Sequence, residues 1–274
     1  MRWSWIVALV LVSAACGSTG VHQAAETVPS TERPARPGGP SPEQAVRPTV
    51  EPPAAGSARR PVAEWLRVGG LMGPGLPAVR PPKLVVYADG RAIADAAHEL
   101  RLPPAEVKAL VEALDHDLAG QPATASPRPG TTKVLDAPGT ILGVDDGGGM
   151  REVHAPYMEL AADAYAPALV HARDRLAHLA GRVAAQGRSY STDRVRLYAE
   201  RVTTSTTDAE PWPEGVPLPP DPRPLSTIKN YKDYKGNKAF AIARQIPRDG
   251  PWHMYRTPSG QQVALLWQYL LPHE

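Results

Sequence analysis

The apolar and polar positions divide the chain into three stretches. Residues 1–15 hold the unbroken apolar run Trp5–Val12. Residues 16–61 contain no Ile, Leu, Met, Phe, Trp or Tyr, and periodic apolar patterns return only in residues 62–274. A segment without large apolar side chains cannot bury enough surface to offset the entropy of ordering. The pattern therefore predicts a signal peptide, a disordered tether and one globular domain in these three ranges.

Short β-branched and aromatic runs in the third stretch predict antiparallel hairpins, because each pair of runs is separated by turn residues. The paired runs are Leu84–Tyr87 with Ala92–Ala94, Thr140–Val144 with Met150–His154, and Trp252–Thr257 with Gln261–Leu271. Glu64–Val68 and Arg194–Val202 are further predicted strands. The last run is apolar on both faces, which favours an interior position in a sheet.

Three segments have apolar residues at helical spacing. The first opens at Pro103-Pro104, the second covers about Tyr165–Gln186, and the third, Asn237–Gln245, is expected to bury Phe240 and Ala243. Helices of this kind need a sheet to cover. The chain is therefore predicted to be an α+β protein with an antiparallel sheet built from hairpins and covered by about three amphipathic helices.

The amino terminus combines Arg2, the apolar run and the small residues Ser13-Ala14-Ala15, which is the layout of a secretory signal peptide. Cys16 follows directly and is the only cysteine of the chain. The residues Ser13-Ala14-Ala15-Cys16 resemble the lipobox of bacterial lipoproteins. This resemblance implies cleavage before Cys16, lipid attachment to its thiol and a location on the extracytoplasmic face of the cell membrane. The alternative is an ordinary signal peptide cut near Ala15, which would release the protein.

The tether is rich in proline, which favours extended geometry at about 3.1 Å per residue. It could reach on the order of 100 Å when extended, or about 40 Å as a flexible coil. The formal charge of the chain is +2, so no strong basic field for nucleic acid is expected. The predicted partners are the membrane, through the lipid, and an unknown envelope protein or cell-wall component.

The globular part resembles secreted proteins and lipoproteins of actinobacterial-type bacteria to which no activity is attached. The resemblance is carried by Leu66-Arg67-Val68 with Gly69-Gly70, by Pro82, by Leu84–Arg91 and by the closing Leu270–Glu274. It implies export and a shared fold, and it implies no particular function.

Several short motifs invite a chemical interpretation. Ser226-Thr227-Ile228-Lys229 fits the S-x-x-K of penicillin-recognising enzymes, but its companion motifs are missing. The acidic cluster Asp145–Gly149 could suggest calcium, but it lacks the spaced acids and distal Glu of an EF-hand loop, and a hairpin turn is the preferred interpretation. His171, Asp174 and His178 share one helix face, which favours a solvated surface over a metal site. Asp115-His116-Asp117 ends a helix, where a histidine is favourable without any catalytic role. The sequence thus predicts no cofactor and no metal.

Trp212 lies between two prolines in a loop and has two interpretations. It could cover the sheet as part of the core, or it could be exposed as a contact for sugar or peptide. The core interpretation is the preferred one.

Three functional hypotheses follow. The first is a non-enzymatic interaction or structural module of the cell envelope. The second is an envelope hydrolase that uses His154 or His253 with Asp145 or Asp146. The third is a solute-binding lipoprotein, although the chain looks short for two lobes.

Overall fold

The computed structural model describes residues 59–70, 80–202, 209–218, 231–248 and 253–274. Predictions that concern Cys16, most of the tether, Ser226–Lys229 and Trp252 lie outside the described residues. Within the described ranges, no helix is long and apolar enough to cross a membrane.

The first sheet has seven strands, all paired antiparallel, in the order β6-β5-β1-β2-β3-β4-β7. These strands are β1 (Pro61–Val68), β2 (Leu84–Tyr87), β3 (Arg91–Ala94), β4 (His98–Arg101), β5 (Gly139–Asp145), β6 (Met150–Ala155) and β7 (Arg188–Ser189). The predicted β2–β3 and β5–β6 hairpins are confirmed. Gly90 occupies the β2–β3 turn with φ +88°, and a Cβ there would lie 2.6 Å from the carbonyl oxygen of Leu102, so only glycine fits.

Two helices cover one face of this sheet. They are α1 (Pro104–Leu118) and α2 (Pro167–Gln186), and each has proline in its first turn, where the missing N–H leaves no hydrogen bond unmade. Their fully buried stripes include Leu114, Leu118 and Leu176. Burial of each such side chain contributes about 1.5–3 kcal/mol. The first two helix predictions are therefore confirmed, with the second helix starting two residues later than expected.

The second sheet has five strands in the order β10-β8-β12-β11-β9. They are β8 (Arg194–Arg201), β9 (Glu210–Pro211), β10 (Tyr231–Lys235), β11 (His253–Arg256) and β12 (Gln262–Tyr269), and α3 (Asn237–Gln245) packs on them. All pairs are antiparallel except β9 with β11. The interior position predicted for the last strand is confirmed, since β12 lies between β8 and β11. Together the two antiparallel-dominated sheets and their helices confirm the α+β class.

One core prediction is wrong. Phe240 on α3 is 68% exposed, whereas Ala239 and Ile242 are buried. Successive residues of a helix are rotated by about 100°, so the stripe that contains Ala239 and Ile242 turns Phe240 away from the sheet. Ala243 is only partly buried against the same core.

The two sheets meet on the face of the first sheet that the helices leave uncovered. Val85, Tyr87 and Ile93 from that face pack with Tyr190 and Leu271. Two polar contacts reinforce this junction: the Tyr87 hydroxyl lies 2.8 Å from Nδ1 of His273, and the Tyr190 hydroxyl donates to the carbonyl oxygen of Leu270 at 2.8 Å. Both sheets belong to one compact unit.

Candidate functional site

The residues suggested for a hydrolase are dispersed over the fold. His154 lies on β6 opposite Ile141, whereas Asp145 closes β5 at the other end of the same hairpin. Four residues along a strand span about 13 Å, which is far beyond hydrogen-bond reach. His253 begins β11, where it is paired with Leu265 of β12, so it belongs to a different sheet from the hairpin that carries Asp145 and Asp146.

Asp145–Gly149 forms the hairpin turn. One carboxylate oxygen of Asp145 accepts the N–H groups of Gly147 and Gly149 at 2.9 and 3.1 Å, and the other pairs with Arg60. Burial alone would raise the pKa of Asp145, but these hydrogen bonds and the guanidinium outweigh burial and lower the pKa. The carboxylate is thus committed to the turn, in agreement with the preferred interpretation of this cluster.

The remaining charged candidates are on the helices, where all but the buried Asp117 are exposed or partly exposed. His171, Asp174 and His178 are exposed on α2, and Asp174 pairs with Arg173 at 2.6 Å. On α1, Asp115 pairs with Arg151 and Asp117 pairs with Arg175 at 3.1 Å. In the parts of the chain that the structure describes, no group of three His, Cys, Asp or Glu side chains could hold a metal ion.

Trp212 rests on the second core. It is partly buried there, its ring meets Tyr255 edge-on at a centroid distance of 6.3 Å, and its N–H donates to the carbonyl oxygen of Val216 at 2.9 Å. A satisfied N–H and an aromatic neighbour are what a covering tryptophan needs. The core interpretation of Trp212 is therefore supported.

A pair of acidic side chains on the first sheet was not foreseen. Glu64 on β1 and Glu152 on β6 are both paired with Gly143, which lies between them on β5. Because Gly143 has no side chain, the two carboxyl groups reach across it and form a hydrogen bond. A Cβ at position 143 would lie only 2.7 Å from Cγ of Glu64. Burial, followed by this hydrogen bond and by the charge of Glu152, raises the pKa of Glu64 to about 7.

A second unforeseen feature is a polar cleft, here called the basic cleft, with a volume of about 420 Å³. It lies where strands β3, β4 and β7 of the first sheet, the β7–β8 loop and the end of β10 come together. Basic side chains dominate its lining and outnumber the acidic ones by five to two. The lining residues that matter here are Arg59, Arg91, Arg188, Arg194 and Lys235, with Glu99 and Asp193 as the acids and Ser191 and Thr192 as neutral hydroxyls.

The cationic side chains of the basic cleft differ in how closely each is paired with a carboxylate of the protein. Arg188 contacts Glu99 at 2.5 Å, and Lys235 is 3.9 Å from Asp193. Arg194 instead donates to the main-chain oxygens of Leu271 and Glu274, at 2.9 and 2.6 Å. Arg59 forms no ion pair with any residue in the described ranges, so its guanidinium is available to a ligand.

No residue spacing in the sequence predicts the Glu64–Glu152 pair or the basic cleft, because each is assembled from segments that are distant along the chain. The only local signal is Gly143 inside a predicted strand, which marks a close approach of other groups.

Comparison with known proteins assigns no family. No known protein family matches the chain, and neither the curated proteins nor the solved structures contain a significant match. The chemistry of the acidic pair and of the basic cleft has to be inferred from their own side chains.

Proposed function

We propose that this protein is a lipid-anchored cell-envelope protein whose globular domain is a non-enzymatic interaction module on the outer face of the membrane. The diacylglyceryl group on Cys16 holds the chain, and the tether sets how far the domain reaches. Two acyl chains give stable anchoring, whereas a single chain gives only marginal binding.

The observation that carries this proposal is the basic cleft. Its groups bind by charge and by hydrogen bonding, since guanidinium and ammonium groups are donors only. Arg59, which forms no ion pair within the described part of the chain, and the exposed Lys235, whose side chain is 75% accessible, are positioned to meet a partner from solvent. Such a lining suits recognition of an anionic envelope component, because cationic donors outnumber carboxylates among its charged side chains.

The path of the chain into the domain supports the tethered arrangement. Arg60 pairs with the buried carboxylate of Asp145, and the next residue, Pro61, begins β1. The predicted tether therefore ends beside an ion pair with the last residue of β5. Because Arg59 lines the basic cleft, the end of the predicted tether contributes a side chain to the proposed binding site.

The anchor is tested by Cys16→Ser in the native host. We expect the wild-type protein to sediment with membranes and to enter the detergent phase on phase partitioning, and we expect the variant to lose both properties. Ser18→Ala, two residues further on, is the matched control and should behave as wild type. Membrane association that persists in Cys16→Ser would overturn the lipid anchor.

The interaction role is tested by crosslinking the anchored protein in its own envelope. We expect adducts with an envelope component that disappear when Arg59 and Lys235 are both changed to glutamine. Adducts that are unaffected by this change would place the contact elsewhere on the domain and contradict the role of the basic cleft.

A further inference from the structure

The basic cleft is a concave, preorganised arrangement of donors. Arg91, Arg188 and Arg194 come from β3, β7 and β8, so three guanidinium groups converge from two sheets. A guanidinium presents a planar fork that matches the oxygens of phosphate and carboxylate groups. Counting Glu99 and Asp193 in the lining and Asp89, which pairs with Arg91, the five cations keep a formal excess of two positive charges, even though the whole chain is close to neutral.

Arg91 pairs with Asp89 at 2.8 Å and Arg194 donates to main-chain oxygens, whereas Arg188 and Lys235 leave much of their hydrogen-bonding capacity unused within the protein. Arg188 directs both Nε and Nη2 at the same oxygen of Glu99, yet its side chain is 81% accessible. A guanidinium has five N–H groups, so several still point to solvent. The 3.9 Å separation of Lys235 from Asp193 is too long for a hydrogen bond, which leaves all three ammonium donors for a ligand.

The loop that carries the neutral donors is held in place. The main-chain N–H of Tyr190 donates to the carbonyl oxygen of Ala97 at 2.7 Å, and the Tyr190 hydroxyl bonds to Leu270. Ser191 and Thr192 follow Tyr190 along the chain, and both residues line the cleft. Donors fixed before binding cost little ordering entropy when the ligand arrives.

We propose that the basic cleft binds the phosphodiester groups of an anionic polymer of the cell envelope. Phosphodiesters keep their charge at all relevant pH values and offer tetrahedrally arranged oxygens to converging guanidinium groups. A volume of about 420 Å³ lies within the range of ligand pockets and exceeds what one phosphate group occupies. A concave cleft admits a chain, whereas a flat bilayer surface cannot enter it.

This inference rests on the proposed function, because a polymer outside the membrane is met only by an exported module. The binding experiment uses the full chain with Cys16→Ser, so that its outcome does not depend on the anchor. A failure of binding and a failure of anchoring are thus separate results.

The ligand probe is a glycerol phosphate oligomer, titrated calorimetrically at about 0.15 M salt, where charges more than about 8 Å apart are largely screened. The cleft variant combines Arg59→Gln with Lys235→Gln. The matched control combines Lys108→Gln on α1 with Arg244→Gln on α3, because it removes the same charge from exposed residues outside the lining. We expect at least tenfold weaker binding for the cleft variant and less than a twofold change for the control.

Two further probes separate the possible sources of the anion. Poly-glutamate of equal charge should bind at least tenfold more weakly than the oligomer, and vesicles containing phosphatidylglycerol should not bind through the cleft. Absence of oligomer binding, equal losses in both double variants, equal binding of poly-glutamate, or vesicle binding that needs Arg59 and Lys235 would each overturn the proposal. Equal melting temperatures of the two double variants show that the fold is kept.

Discussion

Two buried carboxyl groups on the same face of the first sheet behave in opposite ways. Asp145 is 4% exposed, and Glu64 is 9% exposed. Glu64 is paired with Gly143, which precedes Asp145 by two residues on β5, so both carboxyl groups are on one side of the sheet. The pKa of Asp145 is lowered, whereas the pKa of Glu64 is raised to about 7.

The groups that contact each carboxyl group determine whether its pKa is raised or lowered. Asp145 meets the guanidinium of Arg60 and two main-chain N–H groups, all of which favour the charged form. Glu64 meets another carboxyl group, which favours the neutral form and adds to the effect of burial. A hydrogen bond between two carboxyl groups needs a proton, and the raised pKa of Glu64 keeps that proton available near neutral pH.

The largest expected effect comes from Glu64→Gln. Because folding raises the pKa of Glu64 from 4.5 to about 7, its contribution to stability is fully present below about pH 4.5 and is lost as the pH rises through 7. A change of this size corresponds to roughly 3 kcal/mol in the free energy of unfolding. Glutamine still donates to Glu152 but cannot ionise. We expect the variant to be more stable than wild type at pH 8 and to lose most of the decline between pH 5 and pH 8.

Urea unfolding at a series of pH values checks this prediction. Glu112→Gln is a suitable control, since Glu112 is on the exposed side of α1 with a side chain 67% accessible. The control should reproduce the wild-type pH dependence. A wild-type protein with equal stability at pH 5 and pH 8 would show that the carboxyl groups are not in contact.

A smaller effect is expected from Gly143→Ala. The added Cβ would lie 2.7 Å from Cγ of Glu64 and 3.0 Å from Sδ of Met150, so both side chains must move. Overpacking of this kind costs about 1–3 kcal/mol. Gly181→Ala in α2 is the matched control, because nothing lies within 4 Å of the new Cβ and alanine favours a helix by up to about 1 kcal/mol. Thermal unfolding should show a lower midpoint for the first variant and an equal or higher one for the second; similar midpoints would contradict the close contact at Gly143.

The smallest effect is expected from Asp145→Asn. The amide oxygen can still accept the N–H groups of Gly147 and Gly149, so only the ion pair with the half-exposed Arg60 is lost. We expect a loss of about 1 kcal/mol at pH 7, in keeping with partly solvated ion pairs.

The pH dependence of this loss has the opposite sign to that of Glu64. A lowered pKa contributes stability that is present above the ordinary pKa of the group and disappears as the pH falls through its folded value. Chemical unfolding of wild type and Asp145→Asn should therefore converge in acid. Asp146→Asn keeps an acceptor for the N–H of Gly148 and should change stability less at every pH.

Local patterns predicted the three helices and the strands β1, β2, β3, β5, β6, β8, β11 and β12. They predicted neither the short or largely polar strands β4, β7, β9 and β10 nor the two sites. The Asp89-Gly90 turn and the apolar stripes of α1 and α2 depend on neighbouring residues, and the structure confirms them. Phe240 was misplaced because a nine-residue helix offers few positions to fix the rotation of its buried stripe. The contact of Glu64 with Glu152 requires β1 and β6 to flank β5, and strand order is not encoded in any local pattern. The same holds for the basic cleft, whose Arg59 and Lys235 are far apart along the chain.

The position of β12 has a consequence for how the protein acquires its fold. β12 is the middle strand of the second sheet, yet it follows the four other strands of that sheet along the chain. Synthesis proceeds from the amino terminus, so β8 and β11 are made before the strand that joins them. The first sheet can assemble once β7 is available, whereas the second must wait for Tyr269. Until β12 is made, the edge of β8 that will pair with it has unpaired N–H and C=O groups that can pair with another chain. A chaperone that covers this edge would protect the nascent protein from aggregation.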